Sequence, residues 1–309
     1  GDAFRSGTHK AMIFDWLRIH GRSDEKTRVY GYTRSWSKMG SAVSVVLGAG
    51  LVFYTGQYVH IFWFAIVPYA MNIVNFMGYP AELDGESDAP VSIGGLFAVL
   101  WGSFRDVARR RPLRRAMLES LGFEGMFHAT KDYLQRLLEL TAIALPFLLF
   151  LSDMRRTAVL VGAVYFVLHI MSSMASRQAH RVVEKAGGEA AAADVLWRVN
   201  WALFAALLGS LALGWQAPAI VAFVGLMVIQ NLWRPALVSR INTHSSPEMG
   251  ATVLSIEAQA KSLGTMVAAP CVGWAVDTTG SLWPVAAAGL LVATVAVVSR
   301  AVGRDATAA

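Results

Sequence analysis

The sequence predicts an all-α, multi-pass membrane protein, a helical bundle with about eight transmembrane helices. Three observations predict this class: 55% of the 309 residues are hydrophobic, only 16% are charged, and the apolar residues are gathered in long blocks. Globular domains contain about 25% charged residues, and about 20 apolar residues span a bilayer as a helix. A soluble protein of this composition would need several helices that are apolar on every face.

Seven apolar blocks are each long enough for a spanning helix. They are Met39–Tyr58, Val59–Tyr79, Thr157–Ser176, Val195–Gly214, Ala217–Trp233, Ala251–Val276 and Ser281–Arg300. An eighth span lies within Leu113–Leu151, and two choices remain open. Hydropathy favours Leu137–Leu151, which is short, whereas Leu113–Gln135 is longer but more polar. Either choice gives one crossing, so the predicted topology is the same.

Hydrophilic segments divide the chain. Residues 80–112 are predicted to be a cytoplasmic linker with an amphipathic piece, and Arg177–Asp194 is predicted to be a second polar loop. The expected division is the remainder of an N-terminal helical bundle in 1–79, the linker in 80–112, a six-helix C-terminal bundle in 113–300 and a tail in 301–309.

The distribution of basic residues predicts the orientation. In the predicted topology, 22 of the 27 lysines and arginines fall on one side, which the positive-inside rule makes the cytoplasm. Both ends of this chain are therefore expected in the cytoplasm, with the chain in the inner membrane of a cell and membrane lipids as its partners. Because insertion accounts for the net charge of +6, no nucleic-acid partner is predicted.

Small residues and prolines predict how the helices pack. Gly40, Ser44 and Gly48 repeat every four residues, so they lie on one helix face and predict a close approach of two helices. Pro68, Pro146 and Pro270 lie inside apolar blocks, where proline bends a helix and frees a carbonyl.

Charged residues inside the spans are the more specific signal, because a charge at the bilayer centre costs about 2.5–3.5 kcal/mol on insertion scales. Glu257 and Lys261 are four residues apart, so the sequence permits an ion pair on one helix face. The pair is interpreted either as a substrate or proton site or as a structural pair near the cytoplasmic end.

A polar stripe in the eighth span is the other candidate. It consists of Ser120, Glu124, His128, Lys131 and Gln135. If this helix spans the membrane, the stripe must face water or protein and is the best candidate for a translocation pathway. The alternative is a solvated amphipathic helix outside the bilayer. Glu124 and His128 can both exchange protons, histidine near neutral pH.

Weaker candidates are neutral polar residues that could bind a solute or join two helices. They are Asn72, Asn75, His169, Ser172, Ser173, Asn200, Gln230 and Asn231. Trp233-Arg234 is interpreted as an anchor at the membrane interface. No Walker loop, dinucleotide fingerprint or metal-ligand spacing is present, so no catalytic residue, cofactor or metal site is predicted and the chain is not expected to be an enzyme. The single cysteine, Cys271, is interpreted as a packed small residue.

Several segments together resemble the major facilitator superfamily. Ser6–Asp15 (SGTHKAMIFD) looks like the end of that family's fourth helix, and Phe127–Gln135 looks like a seventh helix. Arg234-Pro235, Asn242–Pro247, Ala251–Ser255 and the glycine and aspartate that follow Pro270 resemble the segment from the tenth to the eleventh helix. The resemblance implies a chain that holds the end of helix four and helices five to twelve, and it favours Leu113–Gln135 as the spanning helix.

The function that this resemblance implies is secondary active transport of a small polar solute by alternating access, and proton coupling through Glu124 or Glu257 is a hypothesis. The predicted pathway residues are Glu124, His128, Lys131, Glu257 and Lys261, with Gln230 and Asn231 as neutral hydrogen-bonding groups. Two alternatives stay open: a membrane-embedded enzyme that acts on lipid with His128 and Glu124 as acid and base, and a sensor or assembly protein on a transporter fold.

Overall fold

The computed structural model describes residues 8–78, 93–144, 149–245 and 249–308, and within these ranges the chain is helical with no strand. The helices are α1 (Thr8–Ile19), α2 (Lys26–Thr55), α3 (Val59–Met77), α4 (Ile93–Arg109), α5 (Arg111–Glu119), α6 (Gly125–Thr130), α7 (Tyr133–Ala144), α8 (Asp153–Ala186), α9 (Glu189–Ala212), α10 (Gln216–His244), α11 (Gly250–Thr279) and α12 (Trp283–Ala308). A 3-10 turn at Ser23–Glu25 precedes α2, and a π-helical turn at Ser120–Glu124 joins α5 to α6.

The predicted fold class is confirmed: the chain is an all-α bundle of the multi-pass membrane type. Six described helices are long and apolar enough to cross a membrane, namely α2, α3, α8, α9, α10 and α12. Helix α11 has 30 residues but contains Glu257 and Lys261, and it is not among the six. The predicted number of eight crossings therefore stays a prediction.

Several helices extend well beyond their apolar blocks. Helix α2 begins at Lys26 rather than Met39, and α10 continues to His244 rather than ending near Trp233. The predicted loop over Arg177–Asp194 is wrong, because α8 and α9 are separated by Gly187 and Gly188 alone, and both glycines have positive φ. Hydropathy detects the part of a helix that lies in lipid and misses its polar extension into water.

The difficult segment over Leu113–Leu151 agrees with neither alternative in full. It runs as α5, the π-helical turn, α6 and α7, with a break at Lys131 and Asp132. Leu113–Gln135 and residues 137–144 of the other predicted span thus belong to one interrupted helical segment. Residues 145–148, including Pro146, lie outside the described residues, as do 79–92 of the predicted linker. Pro68 and Pro270 lie inside α3 and α11 as predicted.

Helices α2 and α8 pack closely along their length. A side chain at Gly31 would meet the backbone oxygen of Ser176, and a side chain at Gly162 would meet Ala49. The predicted contact face of Gly40, Ser44 and Gly48 is wrong, because Gly40 has no neighbouring heavy atom and Ser44 is exposed. The face that packs is the one that carries Gly31, Ser35, Ala42 and Ala49 on α2, which again consists of small residues.

Large apolar side chains cover the outside of the bundle. Helix α3 has no buried residue, and its exposed side chains include Phe62, Trp63, Tyr69 and Met77. An apolar surface of this extent is typical of a face that contacts lipid or another protein. Helix α4, within the predicted linker, is the expected amphipathic piece: it buries Ser103 and Val107 and exposes Trp101.

Candidate functional site

A buried polar network lies at the centre of the structure, where α10 faces α2, the π-helical turn and α11. We define it by six residues: Arg34, Glu124, Gln230, Asn231, Arg234 and Glu257. Five of these side chains are buried, and Arg34 is partly buried. The three residues of α10 occupy positions 230, 231 and 234, so they lie on one face of that helix.

The strongest contact in the network joins α10 to α11. Arg234 donates through Nη1 and Nη2 to the two carboxylate oxygens of Glu257, at 2.5 and 2.8 Å. This bidentate geometry is the one that guanidinium groups favour with carboxylates. The Glu257 side chain is fully buried, and its Oε1 also accepts a hydrogen bond of 2.5 Å from the Ser120 hydroxyl.

Glu124 is the second carboxylate of the network. The side-chain amide of Gln230 donates to both of its oxygens, at 3.2 and 3.1 Å, and Arg234 Nη1 lies 3.9 Å from Oε1. Glu124 lies at the end of the π-helical turn Ser120–Glu124, and this wider turn buries both Ser120 and Glu124 at the network. Glu124 therefore has a neutral hydrogen-bond donor and a more distant cation, whereas Glu257 is fully paired.

Arg34 connects α2 to the network. Its Nη2 donates to the side-chain oxygens of Gln230, at 3.2 Å, and Asn231, at 2.9 Å. The two partners are amides, so the charge of Arg34 is held in position without being neutralised by them. Lys10 of α1 approaches from another side, with Nζ 3.9 Å from Glu257.

The structure thus joins four of the seven predicted site residues directly: Glu124, Gln230, Asn231 and Glu257. The predicted ion pair between Glu257 and Lys261 is not formed, because Arg234 and Ser120 occupy the Glu257 carboxylate. Lys261 acts instead as a charged neighbour of Lys10 and His128. Lys131 pairs with Asp132 at 3.0 Å, and no hydrogen bond or ion pair joins His128 to a described residue.

Sequence reasoning missed Lys10, Arg34 and Arg234. Lys10 and Arg34 are counted among cytoplasmic basic residues because they precede the first apolar block. The interpretation of Trp233-Arg234 as an interface anchor is wrong, since both side chains are buried and Trp233 packs against Phe123, with ring centroids 4.4 Å apart. The buried carboxylates offered a signal, because each demands a cationic partner from somewhere in the fold.

The weaker candidates serve mainly to join helices. Ser173 donates to the backbone oxygen of Ser35 at 2.9 Å, which links α8 to α2. Ser172 and Asn200 are buried, whereas Asn75 lies on the exposed surface of α3. The Nδ1 atom of His169 is buried with no hydrogen-bond partner among the described residues.

A second charge cluster lies nearer one end of the bundle. Glu119 accepts from Arg240 and Arg300, while Arg300 also pairs with Asp194. These residues belong to α5, α9, α10 and α12, so the cluster fastens four helices. The opposite end holds an open cavity of about 620 Å³, whose lining includes Tyr133, Gly214, Trp215, Asp277 and Gly280.

Comparison with protein-family models, with curated proteins and with solved structures finds no match to this chain. Within the described residues, no group of three or more histidine, cysteine, aspartate or glutamate side chains is placed to hold a metal ion.

Proposed function

We propose that the protein is a secondary transporter that moves a small polar solute across the membrane by alternating access. The observation that supports this proposal best is the buried polar network at the centre of a bundle in which six helices are long and apolar enough to cross a membrane. Ionisable groups in membrane helices are expensive, and they commonly mark substrate or ion pathways.

The composition of the network also favours a binding site that can open and close. Arg34 links α2 to α10, and its partners there are the side-chain amides of Gln230 and Asn231. Hydrogen bonds between a charged group and neutral amides can be exchanged for bonds to a solute at little net cost, because both states satisfy the donors. A network of this kind suits a site that opens and closes.

The interrupted helix supports the same proposal. Transporters build their central sites from discontinuous helices, whose irregular backbone is tolerated where it lines a cavity. The segment α5–α7 has both a π-helical turn and a break at Lys131 and Asp132. Its first irregularity carries Ser120 and Glu124, two residues of the site. The resemblance of the sequence to the major facilitator superfamily points in this direction too.

Proton coupling is part of the proposal, with Glu124 as its carrier. Glu257 is held by a bidentate arginine, whereas Glu124 accepts from an amide and has Arg234 only at 3.9 Å. The less neutralised carboxylate gives up fewer contacts when it takes a proton. We therefore place the coupling proton on Glu124 rather than on Glu257.

The test is flux in proteoliposomes. Purified protein is first screened for small solutes that raise its unfolding temperature, and uptake of each hit is then measured with and without an imposed pH gradient. We expect the gradient to accelerate uptake, and Glu124→Gln to abolish that acceleration while solute exchange persists. Glu184→Gln, which changes an exposed carboxylate at the end of α8, is the matched control.

Two results would overturn the proposal. Absence of flux for every solute that binds would exclude transport and favour a sensor, while turnover of lipid would favour an enzyme. Uptake that responds normally to the pH gradient in the combined Glu124→Gln and Glu257→Gln variant would exclude proton coupling through these carboxylates.

A further inference from the structure

We infer that the solute is an anion, bound through a carboxylate, phosphate or sulfonate group by Arg34 and Lys38 of α2. The inference rests on the proposed function for the solute's route across the membrane, but its binding claim is tested independently below. It starts from the charges that converge around the buried polar network.

Positive charge exceeds negative charge in this region. The cations are Lys10, Arg34, Lys38, Lys131, Arg234 and Lys261, and the carboxylates are Glu124, Asp132 and Glu257. Glu257 and Arg234 neutralise one another in a bidentate pair, and the Asp132 carboxylate that pairs with Lys131 is largely exposed. The remaining excess is positive, and it lies among apolar helices where uncompensated charge is costly.

Arg34 is held ready for an anion. Its two hydrogen-bond partners are neutral amide oxygens, and no carboxylate of a described residue lies within ion-pair distance. Its Nε atom is buried and has no hydrogen-bond partner in the described part of the chain. The Nη2 atom of Arg34 is fixed by two amide oxygens, and its Nε–H is free. A guanidinium in this state can bind a carboxylate or a phosphate with the paired N–H donors that arginine favours.

Lys38 adds a second cation one helical turn further along α2. Positions 34 and 38 are neighbours on one helix face, and Arg34 and Lys131 are the charged neighbours of Lys38. Lys38 makes no hydrogen bond or ion pair with the residues that the structure describes. Lys38 is also a charged neighbour of His169 on α8, whose buried Nδ1 has no hydrogen-bond partner among the described residues.

These observations together select the charge of the solute. A cationic solute would be repelled by Arg34 and Lys38, and an uncharged solute would leave the charge of these two side chains uncompensated. An anion completes the pairing and supplies the acceptors that Arg34 and Lys38 lack. The positive charge of Arg34 and Lys38 on one face of α2 also raises the local concentration of anions beside that face.

The experiment measures binding to the purified chain in detergent by thermal shift and calorimetry. The anionic probes are inorganic phosphate, succinate and methanesulfonate, and the matched probes are uncharged glycerol and cationic putrescine. We expect at least one anion to raise the unfolding temperature, with no effect of glycerol or putrescine. Arg34→Gln and Lys38→Gln should each weaken that anion's apparent affinity roughly tenfold, as for a lost charge-assisted hydrogen bond.

Arg28→Gln is the control, because Arg28 is an exposed arginine on the same helix. If Arg34→Gln does not fold, Lys38→Gln carries the test, since the Lys38 side chain makes no hydrogen bond or ion pair with a described residue. The inference is overturned if no anion stabilises the protein more than glycerol does, or if the anion binds equally well to the Lys38→Gln variant.

Flux separates this inference from the proposed function. Anion binding without flux would retain the site and refute transport. Flux of an uncharged or cationic solute, with no flux of the anions, would retain transport and refute the anionic solute.

Discussion

Arg234 is the residue on which the two buried carboxylates depend. It holds Glu257 with two hydrogen bonds and lies 3.9 Å from Glu124. Taking two charges out of water is expensive, and the attraction between them compensates only when the geometry is good. The pair therefore contributes less to net stability than its short distances suggest, but its disruption leaves a buried charge without its bidentate partner.

This asymmetry gives a prediction for the pair. Arg234→Met should lower the free energy of unfolding by about 3–5 kcal/mol, because the buried Glu257 then loses its bidentate partner and keeps only the Ser120 hydroxyl and the more distant Lys10. The double variant with Arg234→Met and Glu257→Met should recover most of that loss. The measurement is chemical unfolding of both variants in one detergent.

Arg198→Met serves as the reference for the loss of an arginine, because this side chain is exposed on α9 and should change stability by less than about 0.5 kcal/mol. A double variant that is no more stable than Arg234→Met alone would show that packing around Arg234, and not the unpaired charge, determines the loss.

The partner of Glu257 illustrates what sequence spacing can predict about a residue. The buried carboxylate and its need for a cation follow from the composition of the apolar block. The nearest cation along the helix, Lys261, is the wrong partner, because Arg234 approaches from α10 in a better geometry. Spacing within one helix is local, whereas the choice of partner depends on which helices pack together.

Proline and serine cooperate where α8 packs on α10. Pro235 lies inside α10 and has no backbone N–H, so the carbonyl of Asn231 loses its helical partner. The Ser176 hydroxyl donates to that carbonyl oxygen at 3.2 Å. An unsatisfied carbonyl is costly in a membrane, so this contact compensates for a break in the helix directly beside the buried polar network.

Helices α6 and α11 cross with their backbones in contact. A side chain at Gly264 would lie 2.2 Å from the backbone oxygen of Leu121, and a side chain at Gly125 would lie 2.8 Å from Gly264. Close crossings of this kind hold membrane helices together through dispersion contacts. The crossing also fixes the π-helical turn against the helix that carries Glu257.

We expect Gly264→Ala to destabilise the protein by about 1–3 kcal/mol, because the added methyl group meets backbone atoms that cannot move aside. Gly40→Ala is the matched control: Gly40 lies inside α2 with open space around it, so alanine should be neutral or stabilise the helix by up to about 1 kcal/mol. Both values come from unfolding in the same detergent.

Equal effects of the two substitutions would contradict the close crossing at Gly264. They would also restore Gly40 as a packing position, as its four-residue spacing with Ser44 and Gly48 predicts. That stripe and the face that packs both consist of small residues on one helix. Sequence alone cannot separate them, because the choice depends on where α8 lies around α2.

At the scale of the whole molecule, the bundle has two distinguishable ends. The cluster of Glu119, Asp194, Arg240 and Arg300 lies toward one end, and the cavity beside Gly214 and Gly280 lies at the other. Arg155, at the start of α8, lies over the ring of Phe53, near the end of α2. Of the basic residues assigned to the cytoplasm by counting, Arg240 and Arg300 lie at the end with the charge cluster, whereas Arg34 and Arg234 belong to the buried polar network.

Hydropathy and charge therefore predict much of the architecture and little of the site. The apolar block at Val59–Tyr79 corresponds closely to α3, and the block at Ser281–Arg300 corresponds to the first part of α12. Such blocks are detectable because transfer into lipid depends on composition alone. The link from Arg34 to Gln230 depends instead on two helices far apart in sequence, and no local pattern announces it.

The orientation is tested by labelling single cysteines in a Cys271→Ala background with a maleimide that does not cross membranes. Gln57→Cys, after α2, and Thr279→Cys, at the end of α11, should react in intact cells. Lys185→Cys, beside the Gly187-Gly188 turn, should react only after the cells are lysed. All three positions are exposed, so accessibility to water within the folded protein does not distinguish them.

Since α8 connects the two sides, labelling of Gln57→Cys and Lys185→Cys from the same side would contradict the predicted crossing by α8. If only Lys185→Cys reacted in intact cells, the bundle would stand, but the end with the charge cluster would lie outside the cell, against the positive-inside rule.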